Sequence, residues 1–224
     1  MTRMLLVIGF ALSCLLADDG PPQKVQTTKT EHMDFAPGGV LRMKNSTGAL
    51  IVEGWDRPEV EITTIKFTKT AYGNRAEGER ALDEAHTAVN HSAGEIVITT
   101  DFPSKGSHRL PRRGSPSIDL TYEIKVPRNT KLIVDHDTGD VQVTNLTNDI
   151  QATVRNGEIA VYLPAEGQYS IDARSKFGGV TTGLPGHEQR LPWLIGQSFA
   201  NQAAAAGHKI YLRARAGDIL IFSR

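Results

Sequence analysis

The chain has 224 residues, enough to bury one substantial core, and its 25 Lys plus Arg balance 25 Asp plus Glu. A neutral balance argues against a nucleic-acid binder, which needs a basic face to neutralise phosphates. Aromatics at 6% beside 21 glycines suit many short strands and turns rather than an aromatic-lined groove.

Residues 1–17 read as an export signal: Arg3 supplies the positive start, and the apolar run Met4–Ala17 is too short to cross a bilayer. The polar Asp18-Asp19-Gly20-Pro21-Pro22 follows at once, so the mature chain is expected to begin at Asp18. This implies an extracytoplasmic protein, periplasmic, secreted or on the cell surface, with no membrane span once the signal is removed. Cys14, the only cysteine, follows Ala11-Leu12-Ser13 and loosely resembles a lipobox, making a lipid anchor the alternative. Either way no thiol remains for disulfides or metal ligation in the mature domain, and stability must come from packing and the backbone ladder.

Residues 18–37 form a polar linker running into a first edge strand, and the ordered domain is expected from residue 38 to 224. Leu41–Asn45 and Leu50–Gly54 flank a turn at Asn45-Ser-Thr-Gly48, and Val60–Phe67 alternates apolar with polar. From Arg75 to His91, Ala81, Leu82, Ala85, Ala88 and Val89 fall on one stripe, which predicts an amphipathic helix over residues 75–91. Glu95–Thr100 and Ile118–Pro127 read as a hairpin interrupted by a Pro/Gly/Ser-rich loop, residues 103–117, that carries Lys105, His108, Arg109, Arg112 and Arg113. Beyond Pro127 come strands of three to six residues separated by turn chemistry. Residues 183–208 break the rhythm and read as an insertion or cap, with the run Ala203–Ala206 fitting one helical turn.

One phrase keeps returning: a glycine, a small or acidic residue, then alternating aliphatics. It occurs at Gly48, Gly94, Gly139, Gly157, Gly179 and Gly217. Glycine accepts the positive φ of a tight corner, and residues two apart turn one strand face into a core. The steps are 18 residues from Gly139 to Gly157 and 21 on to Gly178, and the 39 to Gly217 equal about two more. This spacing predicts an all-β, solenoid-like stack of short strands, residues 127–224 forming the coils and 38–126 the strands and helix, with a β-sandwich as the alternative.

Tyr122-Glu-Ile-Lys-Val-Pro127, Thr138-Gly-Asp-Val-Gln-Val143, Arg155-Asn-Gly-Glu-Ile159 and Ala216-Gly-Asp-Ile-Leu-Ile221, in this order after a short helix, resemble the bacterial putative adhesin family. That family is a β-strand repeat domain of unknown function, similar to the heads of auto-transporter adhesins. The resemblance covers about residues 38–224 and implies an extracytoplasmic β-repeat fold with no catalytic residue.

Candidates for chemistry are few. Asp135-His-Asp137-Thr-Gly-Asp140 invites calcium, but Gly139 falls where the third ligand of a calcium loop belongs. His86 and His91, placed on the expected helix, diverge. Gly196-Gln-Ser198-Phe-Ala200 lacks the acid-then-histidine order of a hydrolase, since Asp218 follows His208 and no histidine comes after it. Asp135, Asp137, Arg155 and Arg174 project from successive coils and are the candidates for a glycan-processing groove. The basic residues 105–113 are the candidate anion-binding loop. Trp193, Leu194, Ile195 and Phe199 form an apolar contact or an end cap. The expectation is an exported, non-enzymatic, adhesin-like interaction module of the cell envelope, with no catalytic residue, metal, cofactor or nucleic-acid partner and an unknown surface component as its ligand. The alternative is a glycan-binding or polysaccharide-processing β-helix.

Overall fold

Single glycines between aliphatic runs give strands that meet in pairs at a corner. The computed structural model describes residues 21–92, 94–101, 118–191, 195–201 and 207–224. The expected signal with Cys14 lies outside these residues, as do the helical turn near Ala203–Ala206 and the whole of the basic loop, residues 103–117. In chain order come β1 (Gln26–Asp34), β2 (Val40–Thr47), β3 (Ala49–Trp55) and β4 (Glu59–Thr68), then helix α1 (Arg75–Leu82). After it come β5 (His86–Ser92), β6 (Glu95–Asp101), β7 (Ile118–Pro127), β8 (Lys131–Thr138), β9 (Val141–Thr144), β10 (Ile150–Asn156) and β11 (Ile159–Leu163). The last are β12 (Tyr169–Phe177), β13 (Val180–Thr182), β14 (His187–Leu191), β15 (Gly196–Ala200), β16 (His208–Ala216) and β17 (Ile219–Ser223).

The strands form two mixed sheets, neither closed: β1-β4-β7-β3-β9-β11-β17-β13, and β14-β15-β12-β16-β10-β8-β2-β6-β5. Alternate residues of both enter one core, so the described fold is all-β and sandwich-like, as in the alternative read from the sequence. Its centre is parallel: β2, β8, β10, β16 and β12 lie in the nine-stranded sheet, and each passes through a corner glycine to β3, β9, β11, β17 and β13 in the other.

The order of these steps corrects the even spacing read from the sequence. β16–β17, last in the chain, sits between β10–β11 and β12–β13. Among the described residues, the 39 from Gly178 to Gly217 hold no extra coil between β13 and β16. Between β13 and β16 lies the hairpin β14–β15, whose β15 pairs antiparallel with β12 and occupies the position where the next coil would stack.

The expected helix over 75–91 is half as long. Asn74 caps its start by accepting the Ala76 amide at 2.8 Å, and Gly78 lets α1 approach Val25, whose side chain stands where a Cβ would be. After Leu82 the chain turns, and His86–Ser92 becomes β5, antiparallel to β6 around Gly94. Thr87 and Val89 face inward two residues apart, a strand period within the sequence that also fits a helical stripe. His86 and His91 are thus exposed strand residues. The polar stretch before Gly38 likewise contributes β1, a nine-residue edge strand on β4.

Tyr122, fully buried on β7, ties the sheets by sharing its hydroxyl with Thr100 at 2.7 Å and Thr87 at 3.2 Å. The corners are tighter still. Gly48, Gly139, Gly157, Gly217 and Gly178 have φ of +102, +120, +144, +133 and +150°. A Cβ on Gly139 would land on the Gly48 carbonyl oxygen, one on Gly157 on that of Gly139, one on Gly217 on that of Gly157, and one on Gly178 on that of Gly217.

Gly157→Ala is expected to destabilise the fold by about 3 kcal/mol or more, combining left-handed strain with overpacking. Gly94→Ala, at φ +78° with nothing within 4 Å of the new methyl, should lose only about 1 kcal/mol. Chemical denaturation of both variants measures the difference; equal losses would show that the stacked corners are not close-packed.

Candidate functional site

The alternation that fills the core also dictates what the nine-stranded sheet shows to solvent. On β10, Ile150, Ala152 and Val154 point inward, leaving Gln151, Thr153 and Arg155 outside. β16 buries Ile210, Leu212 and Ala214 and presents Tyr211, Arg213 and Arg215; β12 buries Ile171, Ala173 and Ser175 and presents Asp172, Arg174 and Lys176. Arg213 is level with Arg174 in the parallel register. Arg155, Arg215 and Lys176 are level with one another, flanked by the aligned pairs Val154–Ala214 and Asn156–Ala216 on one side and Ser175–Ala214 and Phe177–Ala216 on the other.

Two of these five cations are paired. Arg155 Nε lies 3.1 Å from Asp137 Oδ1 on β8, and Arg213 Nη2 lies 2.6 Å from Asp172 Oδ2 while its guanidinium covers the Tyr211 ring at 3.8 Å. Arg174, Lys176 and Arg215 are exposed and have no carboxylate partner among the described residues. Of the residues singled out from the sequence, Asp135, Asp137, Arg155 and Arg174 do share one face. They line no cleft: Asp137 is joined to Arg155, and β16 separates Arg155 from Arg174. Arg213, Arg215 and Lys176 were missed. Their alternation within Ile210-Tyr-Leu-Arg-Ala-Arg215 and Arg174-Ser-Lys176 is visible, but only the insertion of β16 places them side by side.

The calcium-like loop disperses. Asp135 and Asp137 point outward, His136 points inward, and Asp140 Oδ1 accepts the Glu158 amide at 2.9 Å. Among the described residues no group of three or more His, Cys, Asp or Glu could hold a metal.

His136 meets a different partner. A bulge in β2 between Met43 and Thr47 shifts its register and turns Ser46 inward, so that Ser46 Oγ stands 2.7 Å from His136 Nδ1. A Ser–His contact is the geometry of an activated nucleophile, but these residues are 0% and 1% exposed, so no substrate reaches them. His136 Nε2 has no hydrogen-bond partner among the described residues. Burial pushes the imidazole pKa below its ordinary value, against the opposing pull of the Gly48 backbone and of Asp137, Asp140 and Asp135, and the ring is held neutral.

The remaining candidates fall elsewhere. Lys105, His108, Arg109, Arg112 and Arg113 lie outside the described residues, as do Trp193 and Leu194. Ile195 is 88% exposed whereas Phe199 is buried on the inner face of β15, so the two share no contact patch. Gly196–Ala200 is strand rather than a nucleophile turn, and Ser198 Oγ donates to the Gln189 carbonyl at 3.4 Å. Two open surface depressions lie among the described residues, one lined by Pro185, Gly186, His187, Ala200 and Asn201, another by residues around Pro164 and Tyr169. No helix among the described residues is long and apolar enough to cross a membrane.

No family model matches the sequence, and no curated protein matches it. Among solved structures, the chain is similar to a "putative cell adhesion protein" from Clostridium sporogenes ATCC 15579, with 12% identity and a TM-score of 0.47 over 88% of this chain and 100% of that one. It is also similar to a "putative adhesin" from Bacteroides fragilis NCTC 9343, at 7% identity and TM-score 0.31 over 88% and 97% of the two chains. A third, a "putative adhesin" from Parabacteroides merdae ATCC 43184, has 10% identity and TM-score 0.29 over 88% and 80%.

Because the folded protein holds His136 neutral while the unfolded chain protonates it freely, its contribution is complete above the unfolded pKa of about 6.5 and is lost as pH falls below it. Thermal melts between about pH 7 and pH 5 should show falling stability, and His136→Gln should flatten that slope. Parallel slopes for both proteins would place the titration elsewhere.

Proposed function

We propose that this chain is an exported, non-enzymatic interaction module of the cell envelope, adhesin-like in the sense that it holds a surface component through its outer faces. The observation that carries the reading is the pairing of a close-packed interior with an open sheet face on which cations stand in rows. The Ser46–His136 pair is sealed from solvent, and the ionisable residues of the face are spread flat rather than gathered in a cleft. Such a surface can hold a partner without transforming it. The family resemblance supports the same reading.

In this proposal the stack of paired strands is a solenoid-like spine, and hairpin β14–β15 acts as a cap that shields the β12 edge from pairing with another chain. The basic loop with Lys105, His108, Arg109, Arg112 and Arg113 is a second contact for anions. Export by residues 1–17 delivers the domain to the extracytoplasmic side.

Beads coated with the protein should attach saturably to envelope preparations, and the same protein should release no reducing ends from envelope polysaccharide. Attachment no greater than that of beads coated with the unfolded chain would defeat the reading. Catalytic release of sugar would replace it with the polysaccharide-processing alternative.

A further inference from the structure

We propose, building on the envelope-binding reading above, that the outer face of β10, β16 and β12 binds a linear acidic polysaccharide, a polymer with one carboxylate on each successive sugar. The first argument is geometric. Arg155, Arg215 and Lys176 lie level on three adjacent strands, with Arg213 and Arg174 level on two of them one outward position earlier. Neighbouring strands are about 4.8 Å apart, a spacing comparable to the length of one sugar unit. The row therefore presents one cation per sugar to a chain lying across the strands, and the backbone ladder fixes that repeat before any ligand arrives.

The second argument is electrostatic. Like charges directly opposite one another weaken a sheet, yet Arg174 stands opposite Arg213, and Arg215 lies between Arg155 and Lys176. The nearby acids do not relieve this crowding. Asp137 and Asp172 are each joined to one arginine, Asp135 stands on β8 beyond Thr153, and Asp140 and Asp218 accept the backbone amides of Glu158 and Gly179 around the corner. Glu158 follows Gly157 on the eight-stranded side of that corner. A chain of zero net charge that concentrates unpaired cations on one face is complementary to a polyanion there rather than over its whole surface.

The third argument is chemical. Two of the three cations without a carboxylate partner among the described residues, Arg174 and Arg215, are arginines, whose planar fork matches a carboxylate in two parallel hydrogen bonds. Phe177, 50% exposed, follows Lys176 at the end of β12, and Tyr211 on β16, 40% exposed, offers the part of its ring that the Arg213 guanidinium leaves uncovered. These rings supply flat apolar surface of the kind that sugar faces cover, beside the charges that would hold the acidic groups.

The test uses polygalacturonate as the acidic probe, dextran as the neutral one, and phosphatidylglycerol–phosphatidylcholine vesicles as an anionic lipid surface. The protein is expected to bind polygalacturonate, more weakly as salt rises, and to ignore dextran. The triple variant Arg174→Gln/Lys176→Gln/Arg215→Gln should lose about tenfold or more in affinity with a melting temperature that is unchanged or raised. Arg57→Gln/Arg128→Gln, which removes cations from a different part of the surface, should bind like the wild type. Wild-type affinity in the triple variant, equal losses in both variants, a lowered melting temperature in the triple variant, or vesicle binding without polygalacturonate binding would each overturn the proposal. Bead attachment that persists unchanged in the triple variant would remove this site while leaving the envelope-binding reading standing; no attachment by the wild type would remove that reading as well.

Discussion

Everything in this molecule depends on a contact that has no room for a side chain, the close approach of one corner glycine to the carbonyl of the next. Gly139 donates its amide to the Asn156 carbonyl at 2.9 Å, Gly157 to Ala216 at 2.9 Å, and Gly217 to Phe177 at 2.9 Å. On the far side of the corner the ladder resumes at once, with Val141 bonded to Glu158 at 2.9 Å and Ile159 to Asp218 at 3.0 Å. The hydrogen-bonded ladder therefore turns from one sheet into the other almost without interruption. The strands from β8 through β10 and β16 to β12, and their partners across the corners, are thereby held in one register, and inward residues fall into rows: Leu50, Val141, Ile159, Ile219 and Val180 in one sheet, Leu132, Ile150, Ile210 and Ile171 in the other. Aliphatic rows of this kind pack without buried polar groups needing partners.

The same register lines up the outward residues, and this links the fold to the proposed binding face. A cation on one strand is brought level with a cation on the next because the corners permit no slip. At the inward position three residues before the corner the rule softens. His136 and Ser175 occupy it on β8 and β12, where β10 and β16 have Val154 and Ala214. Ser175 Oγ donates to the Gly217 carbonyl at 2.7 Å, and His136 lies beside the Gly48 backbone while meeting Ser46. Polar residues thus enter the core where corner carbonyls or the β2 bulge can accept them, which accounts for the placement of a Ser–His pair that no substrate reaches.

The strands and corners were legible because each is a local property: Gly139-Asp-Val-Gln-Val and Gly157-Glu-Ile-Ala-Val state both the turn and the inward face. Gly94 shows the limit of that reading, since the same phrase there closes the β5–β6 hairpin rather than a corner. The end of α1 was not legible because Thr87-Ala-Val89 satisfies both periods, and only pairing with β6 decides between them. Stacking order was hidden for a deeper reason. A parallel step exposes the same backbone groups to either neighbour, so nothing local to β16 states that it lies between β10 and β12. Asp149 supplies part of the answer at a distance, accepting the Lys209 amide at 2.9 Å and approaching Lys131 Nζ at 3.3 Å, so that one carboxylate fastens β10 to both β16 and β8.

That hidden order is why Asp135, Asp137, Arg155 and Arg174 were found but the denser cluster was not. Read along the chain, Arg155 and Arg174 belong to successive steps and Arg213 and Arg215 to a remote one. Stacked, the remote step interleaves, and two separated cations become five neighbours on one sheet. Ile210, Leu212 and Ala214 of β16 join the inward rows beside them, and its outward residues are carried along. Core and face are consequently separable. Neutralising outward cations leaves every inward row intact, whereas a methyl at a corner disturbs both sheets at once. A scaffold with that separation can acquire a binding face by outward substitutions alone, without a cavity and without cost to its packing.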